Sequence, residues 1–559
     1  MKKNRIAKLS VLLAGIFSLA SCDLGAFIRI LDSLSPDAAD VDNSREHLSI
    51  NIDYHDGDHY TATPTKYNYE DVNDSSGNFP CRAFGNMKIL VIPVKIRGYD
   101  SVANATNLER LNNAFFGETE DTGWESVASF YKKSSYGALN LSGVVADQWY
   151  DCGYTTSQLA ALTPPAGTRN MGSYDRTWTI LEGAVSRYKQ TYHDNCTQFD
   201  IDHDGLIDGV WLVYGCPNQK NASGLDQKLF WAYNYKDYSV DVNNTSILTT
   251  SPVGYSYCWA SYDFMDFGDY GAAANKVDAH TYIHETGHLM GLEDYYVAAK
   301  EEGEQNYGPM GGLDMMDYNI LDHNAWSKYA YGWIKPYVVD DSCEIVLKPS
   351  CTSGEAIILP TTGGFNGSAF DEYIMMEFYT PDLLNYQDSF VGYSSYPHGF
   401  TENGVRIYHV DARLATRSTL APNGKYDDDF DTDTETAIVV ASNSSSYNKK
   451  NVQNYLTGES SLPSNIMRFR LIQELDCTQK RNFDTSKQTL NGNEIGVFAD
   501  NSTLFQNDDV FSFDAYKGSF PNYVNGGSMT MNDGTSLPWS VSFSEMSDTS
   551  IKVSITKLS

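Results

Sequence analysis

Residues Met87–Arg97 read Met-Lys-Ile-Leu-Val-Ile-Pro-Val-Lys-Ile-Arg, an almost unbroken apolar run of the length of a buried strand. Apolar residues then recur at helical spacing over Leu108–Phe116 and Val127–Ser134. They do so again over Thr177–Tyr192, where Ile180, Leu181, Ala184, Val185 and Tyr188 share a face. Val210–Tyr214 predicts another strand, and Trp326–Trp333 a further helix. Val277–Leu292 predicts a long helix with Val277, His280, Ile283, His284, His288 and Gly291 near one face. Beyond residue 340 the pattern changes. Glu344–Leu347, Ala356–Leu359, Tyr373–Tyr379, Gly404–Val410, Thr436–Ala441, Asn465–Ile472 and Ile551–Ile555 are short, β-rich and separated by Gly, Asn, Ser and Asp. The expected fold is therefore an α+β domain, a mixed twisted sheet with one long helix, followed by an all-β, sandwich-like region. The expected division is a leader at 1–21, an acidic tether or pro-segment at 22–80, the α+β domain at 81–340 and the β-rich region at 341–559.

The first residues change the picture of where the chain works. Lys2, Lys3, Arg5 and Lys8 precede the short apolar run Leu9–Ala20, which ends in Leu19-Ala20-Ser21-Cys22. That order matches an export leader closing on a bacterial lipobox, with Cys22 lipidated as the mature N-terminus. The expected location is the outer face of a bacterial membrane, with the chain tethered by lipid. The net charge of −32 argues against nucleic acid as a partner and suits an exported protein that binds divalent cations. Cysteines 81, 152, 196, 216, 258, 343, 351 and 477 permit disulfides in an exported chain, with Cys343–Cys351 suggested across a hairpin.

Candidate chemistry concentrates at residues 284–294, His-Glu-Thr-Gly-His-Leu-Met-Gly-Leu-Glu-Asp. On a helix, His284 and His288 sit about 40° apart on one face. Two imidazoles so placed can grip one zinc ion, with Glu285 beside them to take a proton from an activated water. Gly291 stops the helix, and a reversed chain can swing Asp294 back as third ligand. Glu293 is the alternative. The metal would act as a Lewis acid and Glu285 as general base, then as proton donor to a leaving amine.

Gly312-Leu313-Asp314-Met315-Met316-Asp317-Tyr318 follows. The motif H-E-x-x-H-x-x-G-x-x-D succeeded by such a turn resembles the metzincin clan of zinc peptidases. The Asp in last position resembles the immune inhibitor A family of bacterial metallopeptidases. Phe130–Gly137 (Phe-Tyr-Lys-Lys-Ser-Ser-Tyr-Gly), Ser327–Pro336 and Gly404–Asp411 are similar to further segments of that family, in the same order. The resemblance implies a zinc endopeptidase with a metzincin-like catalytic domain. It makes Met316, or its neighbour Met315, the Met-turn floor beneath the metal. It makes Tyr318 a candidate donor to a developing oxyanion.

A second motif, Asp200-Ile201-Asp202-His203-Asp204-Gly205-Leu206-Ile207-Asp208, resembles the front half of an EF-hand loop. Asp200, Asp202, Asp204, Asp208 and the Leu206 carbonyl are the expected calcium ligands. Trp211 stands where a full EF-hand has its bidentate Glu, so other groups must complete the site. His280 reads as a packed core residue and His323 as a surface-loop histidine. Asp427–Asp433 reads as a solvated acidic loop, and 442–463 as a long loop. The function expected is hydrolysis of protein or peptide substrates by a zinc endopeptidase with structural calcium. The rival is a non-catalytic cell-surface lipoprotein that binds through its β-rich region.

Overall fold

The computed structural model describes residues 52–75, 81–162, 175–218, 229–242, 249–266, 276–296, 309–391, 396–416, 437–439, 443, 471–478, 498–516, 531 and 533–559. Cys22 and its lipobox, the Asp427–Asp433 run and nearly all of 442–463 lie outside those residues.

The apolar run near residue 90 becomes the strand Gly85–Lys95 at the heart of the first sheet. Its neighbours, in order across the sheet, are Leu139–Val145, then Gly85–Lys95 itself, Val210–Tyr214, Ser256–Ser261 and Tyr233–Lys236. The first four run parallel. Tyr233–Lys236 is antiparallel and forms an edge. A strand buried on both faces needs apolar residues at every position, and the central strand supplies them. Met87, Ile89 and Val91 face one core, while Leu90, Ile92 and Val94 face another, built with Ile180, Leu181, Ala184 and Val185 of the helix Trp178–Tyr192.

Two further sheets follow. One has the order Tyr60–Ala62, Tyr337–Val339, Ile357–Pro360, Glu372–Tyr379, Gly404–Asp411, Ile472–Glu474, antiparallel throughout except for one parallel pair, Tyr337–Val339 with Ile357–Pro360. The other is antiparallel: Cys343–Leu347, Ile551–Lys557, Trp539–Ser544, Val510–Ser512. The two share a core of Ile357, Leu359, Ile374, Met376 and Ile407 against Ile345, Leu347, Val541, Phe543, Val553 and Ile555. The second sheet is also covered on its other face. Tyr373, Met375, Tyr408 and Val410 pack into the core that holds Ile89, Ile283 and Met316. The expected boundary at 340 thus falls inside a continuous core, and residues Leu48–Ser559 form one unit.

Several expectations need correction. The expected tether at 22–80 is partly built into the body: Tyr60–Ala62 extends the second sheet, and Tyr69–Ser75 is a helix. The β-rich half carries short helical turns at Ser350–Ser353 and Phe513–Tyr516. The eight described cysteines are all free thiols. Cys351 sits in the helical turn Ser350–Ser353 and faces the Thr380 hydroxyl at 3.4 Å, unpaired with Cys343. No helix among the described residues is long and apolar enough to cross a membrane.

Candidate metal centre

The motif helix runs His280–Leu289, shorter at both ends than its apolar pattern. At its start, Asp278 Oδ1 accepts the His280 N–H at 2.9 Å, a local bond that competes with helix extension. At its end, Gly291 takes φ +106°, which favours glycine, and its N–H bonds the His288 carbonyl at 3.0 Å. The reversal brings Asp294 back. Its Oδ1 lies 3.2 Å from His284 Nε2 and 3.0 Å from His288 Nε2, and the two Nε2 atoms are 3.0 Å apart. A tetrahedral zinc with bonds near 2.0–2.1 Å needs ligand atoms about 3.3 Å apart. The three atoms therefore suit one zinc ion. Glu293, the alternative ligand, is not in the group; Asp294 is.

Both imidazoles are oriented by backbone carbonyls. His284 Nδ1 is 2.7 Å from the Met315 carbonyl, and His288 Nδ1 is 2.7 Å from that of Leu292. Each Nδ1 then carries the proton, and each Nε2 lone pair points at the shared centre. Without a cation, burial disfavours a charged His288, yet Asp294 outweighs this and raises it to about 10. Burial likewise opposes ionisation of Asp294, but the His288 charge and the two imidazole contacts hold it well below the usual carboxylate range.

Glu285 is buried, and its Oε2 has no hydrogen-bond partner. Burial raises its pKa; His288 and His284 partly offset that rise. A buried carboxylate with an orphaned oxygen beside three converging ligand atoms is an arrangement that costs stability. His284 and His288 side chains are 5% and 16% exposed, so solvent reaches the centre from the His288 side.

No protein-family model and no curated protein matches this chain.

Met316 lies under the helix between the two histidines. A Cβ on Gly287 would fall 2.7 Å from the Met316 Sδ, so the close contact depends on that glycine. Met315 has the other role, holding His284 with its carbonyl. Tyr318 ends the short helix Met315–Tyr318, its ring edge-on to Phe498 at 5.5 Å. The segments Phe130–Gly137 and Ser327–Pro336 buttress the helix from behind. Tyr131 and Tyr331 donate to the carbonyls of Ile283 and Gly287, at 2.7 and 3.1 Å. The same segments are joined by Lys328, which bonds Asp322 at 2.6 Å and the Tyr136 hydroxyl at 2.9 Å.

Sequence reasoning missed two groups here, Tyr296 and Lys236. The Tyr296 hydroxyl hydrogen-bonds Asp294, and its position two residues beyond that ligand was the available signal. Glu293, raised by burial to about 7, and Lys236, lowered by burial to about 8, interact beside the centre. Nothing local in the sequence links residues so far apart. His323 is a correction: it is buried, not on a surface loop, with rings of Phe130, Tyr131, Tyr331 and Trp333 around it. Both its ring nitrogens lack partners, and burial lowers its pKa well below the usual value.

The acidic loop forms a separate cluster. Asp200, Asp202 and Asp204 each offer an oxygen within 4.8 Å of the others. The backbone wraps them: Asp204 N–H donates to Asp200 Oδ1 at 3.1 Å, and Gly205 N–H to Asp200 Oδ2 at 3.2 Å. Gly205 takes φ +89° to make that turn. Asp208 is buried and accepts the Ile201 N–H at 2.8 Å, while Leu206 pairs with Val253 in a short parallel ladder. Burial raises Asp204 to about 6, with Asp202 and Asp200 adding to it. Such crowding is relieved by a divalent cation.

Proposed function

We propose that this chain is a zinc-dependent endopeptidase of metzincin type, similar to the immune inhibitor A family, exported and held at a bacterial cell surface through Cys22. The observation that carries this reading is the unpartnered Glu285 oxygen beside three converging ligand atoms. His284, His288 and Asp294 would hold zinc. Bound zinc supplies a Lewis acid that acidifies water and polarises a carbonyl. Glu285 accepts the proton of the attacking water, keeps it in a buried pocket, and returns it to the leaving amine. Tyr318 is the proposed donor to the developing oxyanion. Tyr296 steadies Asp294. Tyr233–Lys236 is an edge strand of the first sheet, and an extended peptide can add to such an edge. Calcium on Asp200, Asp202 and Asp204, with Asp208 and the Leu206 carbonyl as further candidates, would stiffen the approach to the strand Val210–Tyr214.

In Glu285→Ala, zinc content stays near one per chain while casein hydrolysis falls by about 100-fold or more. Metal analysis with a casein assay checks this. Undiminished hydrolysis in that variant overturns the proposal.

A further inference from the structure

Asp388 lies in the helical turn Gln387–Val391, between two strands of the second sheet. Its carboxylate is fully buried. Oδ1 is 3.2 Å from His280 Nε2, and Oδ2 accepts the Leu321 N–H at 2.7 Å. Its own carbonyl is tied down by the Gly399 N–H at 3.0 Å.

The two groups it holds belong to the motif helix and to the chain just beyond the Met315–Tyr318 turn. His280 is the first residue of the helix that carries His284, Glu285 and His288. Its other nitrogen is 2.7 Å from Asp278 Oδ1, and its ring stacks on Trp124 at 4.3 Å. Leu321 follows the turn whose Met315 carbonyl orients His284. Leu321 takes φ +65°, an uncommon conformation for a residue with a Cβ, so something must hold it. The same stretch makes parallel contacts. Asn385 accepts the Asp322 N–H at 3.1 Å, and Trp124 donates to the Leu384 carbonyl at 3.1 Å. From the next strand, Arg406 donates to the Leu313 carbonyl at 2.8 Å, just before the Met315–Tyr318 turn.

We propose that Asp388 is a positioning residue of the metal centre. It fixes the motif helix relative to the Met315–Tyr318 turn, so the β-rich half becomes a condition of the catalytic geometry. This rests on the peptidase reading above. A sub-ångström shift between helix and turn would move His284 Nε2 against His288 Nε2 and Asp294 Oδ1, which changes rate more than binding.

The test uses the full chain loaded with Co2+, whose visible spectrum reports ligand geometry. Asp388→Ala removes both contacts; Asp388→Asn keeps an oxygen for Leu321 and removes the charge facing His280. Glu372→Gln is the control, because it disturbs a comparable buried contact, 2.8 Å to His409 Nε2, within the second sheet. All are assayed well below their melting points. The expected result for Asp388→Ala is one Co2+ per chain, a shifted spectrum, and kcat reduced about ten- to a hundredfold with KM within about twofold. Asp388→Asn falls between it and wild type. Glu372→Gln melts earlier with spectrum and kcat unchanged. An unaltered spectrum and kcat in Asp388→Ala overturns the inference; if that variant does not fold, the same result in Asp388→Asn does so. Wild type that takes up no Co2+ and cleaves no peptide overturns the peptidase reading and this inference together. An active wild type with silent Asp388 variants overturns this inference alone.

Discussion

His280 opens the motif helix with carboxylates at both ring nitrogens and no exposure to solvent. Burial opposes its charge, but Asp278 and Asp388 outweigh burial and raise its pKa to about 10. In the unfolded chain a histidine titrates near 6.5. A group raised on folding contributes stability that is complete below the unfolded value and is lost as pH climbs toward the folded one. Wild type should therefore exceed His280→Gln in stability by on the order of 3 kcal/mol at pH 6, with the gap closing as pH approaches 10. Urea titrations of both proteins across that range measure it. A gap independent of pH would show that His280 is neutral in the folded chain. The same residue marks what sequence can show at this scale. Its burial was legible from its place on the apolar face of the helix. Asp388, 108 residues away, was not, because no local pattern distinguishes it from any other loop aspartate.

At the scale of elements, patterns that depend on one segment alone were legible. The central strand, the helix Val127–Ser134 and the ligand geometry around Gly291 follow from local spacing and one glycine. The start of the motif helix was misjudged because a side chain, Asp278, took an N–H that periodicity assigns to the helix. The acidic loop is likewise local, and its Asp-x-Asp-x-Asp spacing brings Asp200, Asp202 and Asp204 together, with Asp208 outside that group. Its carboxylates repel one another and burial disfavours the charge of Asp200 and Asp204. A cation that binds only the folded loop stabilises by mass action, about 2.7 kcal/mol at a hundredfold excess over Kd. For a chain of this size that is a rise of roughly 2 °C in melting temperature. Differential scanning calorimetry with calcium against EDTA should show it in wild type and not in Asp200→Asn. An equal rise in both would place the calcium elsewhere.

At the scale of the molecule, alternation along a strand tells which residues share a face and not what covers that face. Every residue of Glu372–Tyr379 and Gly404–Asp411 is buried. One set of side chains meets the third sheet, and the other meets the half that carries the metal centre. The β-rich run after residue 340 therefore reads as a separate region in sequence and is part of a common core in space. A fragment of residues 48–340 would lose Tyr373, Met375, Tyr408, Val410, Leu471 and Ile472 from that core. At about 1.5–3 kcal/mol for each large apolar side chain, the loss is on the order of 10 kcal/mol, as large as the whole net stability of many folded chains. The fragment would also lose the Ile357–Pro360 partner of Tyr337–Val339, and with Asp388 and Arg406 the bonds that hold the Met315–Tyr318 turn. It should show helical and strand signal in far-ultraviolet circular dichroism, bind a hydrophobic dye and melt without a cooperative transition. The chain from 48 to 559 should melt sharply. A fragment that unfolds cooperatively and takes up one zinc would mean that the metal-bearing half folds without the second sheet, and the common core would then be a docking surface between two domains.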